Sequence, residues 1–160
     1  MINRYSIWIV VLFILLVSAV SCGRQQLNVQ YVTFEQLFSS PEKYNGKHIT
    51  LEGFYFGGFE VCVLSEILDY SGYAEGHIVP KGGLIWIEGG ITKEVYDGFY
   101  QQRMMGPTER YGKIRVSGKF EYGGKYGHLG GYSCQIIPSQ VKLLPWSPNS
   151  GLAPMSDEDG

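Results

Sequence analysis

Apolar and polar residues alternate along much of this chain, which is the pattern of half-buried β-strands. Glycine-rich turns and loops separate the alternating stretches. Residues 65–83 lack a clear periodicity and are predicted to form a long loop, and a second, glycine-rich loop is predicted over residues 123–131. Five strands follow from the pattern, at residues 48–56, 59–64, 84–87, 113–121 and 132–144.

The first predicted strand changes phase within its length. Ile49 and Leu51 have one parity, whereas Phe54 and Phe56 have the other. Because successive side chains point to opposite faces of a strand, these four residues share one core only if an extra residue interrupts the strand. The sequence therefore predicts a β-bulge near Gly53.

Two helices are predicted from local signals. Thr33 and Gln36 have the spacing of a capping box, and Val32 and Leu37 have the spacing of a hydrophobic staple, so a helix is expected to start at this point. A second helix is predicted over residues 92–103, where apolar and aromatic residues recur at helical spacing.

The N-terminus has the proportions of a signal peptide, with Arg4 ahead of an uncharged apolar core at residues 7–17. A membrane-spanning helix needs about 20 apolar residues, so an uncleaved anchor is the weaker interpretation. Residues 16–22, with the sequence Leu-Val-Ser-Ala-Val-Ser-Cys, resemble the lipobox of bacterial lipoprotein precursors. The resemblance implies cleavage after residue 21 and a diacylglyceryl group on Cys22, usually joined by an N-acyl chain such as palmitate.

The same resemblance implies a membrane-anchored, extracytoplasmic protein of a bacterial cell envelope. Gly23 after the cysteine favours the outer membrane if the host has two membranes. Cleavage leaves 139 of the 160 residues, enough for one domain. We interpret residues 22–30 as the lipidated cysteine and a tether, residues 31–145 as the domain and residues 146–160 as a disordered acidic tail.

The mature chain has a formal charge of −3, and three of its acids lie in that tail. Nucleic-acid binding depends strongly on basic side chains that neutralise phosphates, so a nearly neutral domain does not favour that function. The predicted fold class is mainly β. The order of the predicted elements is that of a small five-stranded OB-fold-like Greek-key barrel, with a helix between strands 3 and 4 and an extra N-terminal helix.

Residues 41–47, Pro-Glu-Lys-Tyr-Asn-Gly-Lys, are followed by a strand segment that runs to Gly53, and Gly112-Lys113 begins a second segment that runs to Gly118. This arrangement resembles small, largely uncharacterised bacterial OB-fold-like proteins of the envelope. The resemblance implies a compact binding barrel without a shared cofactor or catalytic set. A different closed or sandwich β-fold is the alternative.

The remaining cysteines, Cys62 and Cys134, form an even pair in a chain expected outside the cytosol. A disulfide between them and two separate buried thiols are equally compatible with the sequence. The three histidines, His48, His77 and His128, lack metal-ligand spacing, so we expect no metal and no cofactor. No nucleophile motif is present, and no catalytic residue is assigned.

Aromatic residues are the strongest candidate binding feature. We predict that Tyr55, Tyr122, Tyr126 and Tyr132 form a recognition surface, because exposed tyrosines suit protein hot spots and sugar stacking; the alternative is that most of these rings pack in the core or on the sheet. The leading hypothesis is a non-catalytic binding barrel that contacts a protein partner in envelope assembly or inhibits a hydrolase. A glycan-binding module is the alternative, and an enzyme of unknown class comes third.

Overall fold

The computed structural model describes residues 30–103 and 106–148, which form a mainly β fold. The predicted signal peptide, the lipidated Cys22 and residues 149–160 of the predicted tail lie outside the described residues. Two short helices are present, α1 (Phe34–Ser39) and α2 (Lys93–Asp97). The strands are β1 (Gln30–Tyr31), β2 (His48–Gly58), β3 (Val61–Tyr70), β4 (Ile78–Ile87), β5 (Tyr100–Gln102), β6 (Glu109–Tyr126) and β7 (Tyr132–Leu143).

The seven strands form one mixed sheet in the order β1-β2-β3-β4-β7-β6-β5, with a further pairing between β2 and β6. That pairing closes a ring through β2, β3, β4, β7 and β6. The contacts within the ring are antiparallel except for the one between β4 and β7, which is parallel. The short strands β1 and β5 lie outside the ring, on β2 and β6 respectively.

The main hydrophobic core lies on the inner face of this ring. On β6, Ile114, Val116 and Phe120 are buried, and each alternates with a residue that is partly exposed. Helix α1 supplies Phe34 and Leu37 to the same cluster. The helix begins as the sequence predicts, because the side chain of its N-cap residue, Thr33, accepts a hydrogen bond from the Gln36 N–H, and the Thr33 N–H donates one to the side-chain oxygen of Gln36.

The predicted bulge at Gly53 is wrong, since β2 pairs with β6 without interruption from His48 to Gly57. Ile49 and Leu51 lie in the main core, whereas Phe56 is buried in a second cluster and Phe54 packs against it. Both faces of β2 are therefore covered. The glycine serves a different purpose, because a Cβ at Gly53 would lie 2.7 Å from the Phe34 ring of α1.

The second cluster contains Phe56, Val63, Leu68, Ile78 and Tyr111. Trp146 packs against it and makes edge contacts with the rings of Phe54, Tyr100 and Tyr111, at centroid distances of 5.2, 5.8 and 6.2 Å. The tail was predicted to be disordered from residue 146, but Trp146 is anchored to the sheet by these ring contacts.

Several predicted boundaries are also corrected. Residues 65–83 are not a loop, because β3 and β4 extend through most of this range and pair as a long hairpin. The predicted loop at residues 123–131 is shorter, since β6 continues to Tyr126. The helix predicted over residues 92–103 ends at Asp97, and residues 100–102 form β5 instead.

Candidate functional site

Two hairpin turns lie side by side at one edge of the ring. Phe59 and Glu60 join β2 to β3, and residues 127–131 join β6 to β7. The Glu60 carboxylate is 3.4 Å from Nε2 of His128, which connects the two turns. We call these two turns, Phe59–Glu60 and residues 127–131, the loop pair.

The loop pair has an unusual backbone conformation. Among the non-glycine residues that the structure describes, positive φ angles occur at Glu60 (61°) and Leu129 (52°), one in each turn. A left-handed backbone costs a residue with a Cβ about 1–2 kcal/mol. Such strain persists when the surrounding structure fixes the turn, and it is frequent at binding sites.

The same two turns expose apolar side chains. Phe59 is 71% exposed and Leu129 is 92% exposed. Neither side chain therefore contributes much to the core, and both point away from it at the turns that Glu60 and His128 connect. An aromatic and an aliphatic side chain presented together on adjoining turns form a compact apolar contact surface.

An aromatic pair lies under the β6–β7 turn. The rings of Trp86 and Tyr132 are 5.3 Å apart at an angle of 37°. Gly127 approaches them so closely that a Cβ there would lie 2.6 Å from the indole and 2.7 Å from the Tyr132 ring. The indole N–H of Trp86 donates to Glu88 over 2.9 Å, so the turn rests on an oriented ring.

The structure brings together two of the four tyrosines predicted to form a recognition surface. Tyr126 and Tyr132 are directly paired across β6 and β7 and are both partly exposed. Tyr122 is also partly exposed, but it packs against the main core.

Tyr55, the fourth predicted residue, is buried, so its assignment to an exposed surface is wrong. Its ring stacks on Phe99 at 4.5 Å and covers Gly57, where a Cβ would lie 2.1 Å from the Tyr55 hydroxyl. Burial raises the pKa of this hydroxyl far above its usual value, and the neighbouring Cys62 raises it further. Because Tyr55 lies on the same parity as Ile49 and Leu51, the uninterrupted strand points it inward.

Cys62 and Cys134 are free thiols with separate partners. The Cys62 thiol lies 3.9 Å from the Tyr55 hydroxyl, and the Cys134 thiol donates to the Leu84 carbonyl over 3.4 Å. Burial raises the pKa of both thiols, that of Cys134 to about 11. Nucleophilic cysteines have depressed pKa values, so these environments favour structural thiols.

The three histidines lie apart. His48 starts β2, and His128 belongs to the loop pair. Nε2 of His77 lies 3.0 Å from Glu109, whose carboxylate also accepts a hydrogen bond from Gln102. This cluster ties the end of the β3–β4 turn to β5 and β6. In the part of the chain that the structure describes, no group of three or more His, Cys, Asp or Glu side chains is placed to hold a metal ion.

No protein-family model, no curated protein and no solved structure matches this chain. Within the described ranges, no helix has the length and apolar character needed to cross a membrane.

Sequence reasoning did not identify the loop pair. The exposed side chains of Phe59 and Leu129 and the contact between Glu60 and His128 were not predicted. The two turns are about 70 residues apart in sequence, and they come together through the pairing of β3 with β4 and of β4 with β7. The glycines on either side of residue 129 were the available signal, since they indicate a tight turn but not its neighbour.

Proposed function

We propose that this domain is a non-catalytic binding barrel of the OB type that is anchored in a bacterial envelope and contacts a protein partner through the loop pair. The OB assignment is supported by the strand ring. In chain order, the strands of the ring are β2, β3, β4, β6 and β7. Around the ring they pair in the order first, second, third, fifth and fourth, and the fourth strand pairs again with the first. Helix α2 lies between the third and fourth of these strands.

The anchor is proposed from the lipobox-like residues 16–22 and lies outside the described residues. Lipid on Cys22 would hold the domain at a membrane surface, because several acyl chains give durable attachment where one chain gives only marginal binding. Intact-mass analysis tests this directly. We expect a mature chain that begins at Cys22 and carries a diacylglyceryl group, and a Cys22→Ser variant that stays unprocessed.

The observation that carries the protein-partner proposal is the exposure of Phe59 and Leu129 on connected, strained turns. Apolar groups on fixed turns lose little conformational entropy on binding, so they suit the central contacts of a protein interface. A role in envelope assembly, or in the inhibition of a hydrolase, uses such a surface.

Site-specific photo-crosslinking in intact cells tests this proposal. A photoreactive side chain at position 59 or 129 is expected to form the same adduct with one protein. Tyr73 provides the matched control, because it is an aromatic residue that is 84% exposed on the separate β3–β4 turn. Absence of an adduct at both loop-pair positions, or the same adduct from position 73, would contradict the proposal.

A glycan-binding function is the second candidate, and the partly exposed Tyr126, Tyr132 and Trp86 beside Glu88 favour it. Aromatic faces next to a hydrogen-bonding carboxylate suit sugar rings. Amide NMR spectra of the mature protein, recorded with soluble peptidoglycan fragments and envelope polysaccharides, separate the two candidates. Shifts confined to these residues would favour the glycan, and an unchanged spectrum would favour the protein partner.

A further inference from the structure

A polar cavity of about 260 Å³ lies on the outer face of the sheet, beside the first described residues of the chain. Tyr31 of β1 forms one wall. The other lining residues come from two neighbouring strands, Arg115 and Ser117 from β6 and Gln140 and Lys142 from β7. The cavity is distant from the β2–β3 turn of the loop pair. Tyr31 pairs with Thr50 of β2, and about eight further residues of β2, roughly 26 Å of strand, lie between Thr50 and that turn.

The strand register places the four side chains of β6 and β7 in a compact block. Arg115 lies directly opposite Lys142, and Ser117 lies directly opposite Gln140. Two cations in opposed positions repel each other, and an anion between them would relieve the repulsion that remains after Arg115 has paired with Glu52. The Gln140 amide adds hydrogen-bonding capacity next to the two charges, and the Ser117 hydroxyl, which is hydrogen bonded to Thr50 over 2.7 Å, has capacity for a second hydrogen bond.

One of the two cations already has a partner on its far side. Nε and Nη2 of Arg115 donate to the same oxygen of Glu52, over 2.9 and 2.6 Å, which fixes the guanidinium group beside the cavity. Lys142 forms no ion pair within residues 30–103 and 106–148. The cavity therefore combines an oriented guanidinium with an unpaired ammonium, which is the chemistry that binds a phosphate group.

A second cavity of about 460 Å³ adjoins the first, and Tyr31 lines both. Its walls include Val32 and Phe34 together with the polar side chains of Thr33, Gln36 and Glu52. A polar pocket with two basic side chains and a partly apolar pocket thus meet at Tyr31. The side chain of Tyr31 is 66% exposed, and tyrosine is enriched where an apolar surface meets water at a membrane.

We propose that this pair of cavities binds an anionic phospholipid, with the headgroup phosphate between Arg115 and Lys142 and the glycerol and upper acyl region against Tyr31. The choice of a lipid over free phosphate rests on the anchoring proposed above. Residues 22–30 span at most about 30 Å when extended, so a lipid on Cys22 keeps the cavity within reach of the membrane surface. Binding there would orient the domain on the membrane.

The test uses the mature protein in an uncharged detergent, followed by two-dimensional amide NMR. The probes are dihexanoyl phosphatidylglycerol, glycerol 3-phosphate, inorganic phosphate and zwitterionic dihexanoyl phosphatidylcholine. We expect saturable shifts at Arg115, Ser117, Gln140 and Lys142 with phosphatidylglycerol, weaker binding of the two soluble phosphates and no saturable binding of phosphatidylcholine.

Three variants sharpen the test. Lys142→Gln is expected to weaken phosphatidylglycerol binding about fivefold, the contribution of one basic residue near an anionic surface, whereas Lys125→Gln, an exposed lysine on β6, leaves it unchanged. Tyr31→Ser is expected to weaken phosphatidylglycerol binding and to leave glycerol 3-phosphate binding unchanged.

Equal affinity for inorganic phosphate and phosphatidylglycerol would overturn the lipid assignment, and an absence of shifts at the four residues would overturn the site itself. Failure of the proposed anchor would be recognised separately. Intact-mass analysis shows whether Cys22 carries lipid, and the NMR titration shows whether the cavity binds phosphatidylglycerol, with or without lipid on Cys22.

Discussion

The carboxylate of Glu60 and the imidazole of His128 lie 3.4 Å apart and connect two turns that are distant in sequence. Both side chains are well exposed, so the contact itself adds at most about 1 kcal/mol to stability. The contact joins the two turns that expose Phe59 and Leu129.

The strain at Leu129 yields a stability prediction. Leu129→Asn removes an exposed apolar side chain and introduces a residue that tolerates the left-handed backbone, so the free energy of unfolding should stay the same or rise by up to about 1 kcal/mol. Urea unfolding measures this. Leu37→Ala, at a fully buried leucine, provides the contrast and should lose about 2–5 kcal/mol. A loss of more than 1 kcal/mol at Leu129 would show that its side chain has a structural role.

The burial of Tyr55 predicts different outcomes for two tyrosines. Tyr55→Ala removes a ring that stacks on Phe99 in the core, and it should lower the free energy of unfolding by about 3–5 kcal/mol. Tyr126→Ala removes a partly exposed ring and should cost less than about 1 kcal/mol. Thermal and urea unfolding of both variants check this. Equal losses would contradict the inward placement of Tyr55.

The pKa of Cys134 predicts a loss of stability at high pH. Burial raises the pKa of this thiol to about 11, whereas a thiol in an unfolded chain ionises at about 8.5. The unfolded state therefore releases the proton first, and the free energy of unfolding should fall as pH rises from about 8.5 to 11. Urea unfolding at pH 7.5 and pH 10 should show a smaller decrease for Cys134→Ala than for the wild type. An identical decrease in the two proteins would refute the assignment.

Trp146 is predicted to anchor the residues that follow β7. Trp146→Ala removes ring contacts with Phe54, Tyr100 and Tyr111 and should lower the free energy of unfolding by about 2 kcal/mol, less than for a fully buried tryptophan. It should also speed proteolytic cleavage after residue 144. Tyr73→Ala, at a highly exposed ring, serves as the control. Unchanged cleavage would indicate that the contacts do not restrain this segment.

The sequence predicts the elements whose signals are local. Helix α1 has a capping box within four residues, and the alternation of Ile114, Val116 and Phe120 defines the inner face of β6. Such patterns need no knowledge of distant partners. The mainly β class follows from the same alternation.

Glycines caused the main errors because they serve packing here as well as turns. Gly53 and Gly83 were interpreted as a bulge and as part of a loop. Cβ atoms at these positions would lie 2.7 Å and 2.5 Å from the rings of Phe34 and Phe38, so α1 packs directly onto the two strands. A single sequence does not distinguish a glycine that permits close approach from one that ends a strand.

The candidate site was predicted only in part for a related reason. Tyr126 and Tyr132 lie on one hairpin, and their proximity follows from its local pattern. The approach of Glu60 to His128 depends on the pairing of β3 with β4 and of β4 with β7, which connects Val63 to Gln135 through Trp86. Non-local strand pairing leaves no local signal in the two turns that it brings together.

The most direct test of the loop pair as a partner-binding surface compares adduct yields in intact cells, with a general amine-reactive crosslinker and equal amounts of folded protein. The double variant Phe59→Ser, Leu129→Asn should reduce the yield of the partner adduct more than tenfold, since both exposed contacts are lost. Tyr73→Ser, the exposed control, should leave the yield unchanged. An undiminished yield from the double variant would contradict the central claim and place the contact elsewhere on the domain.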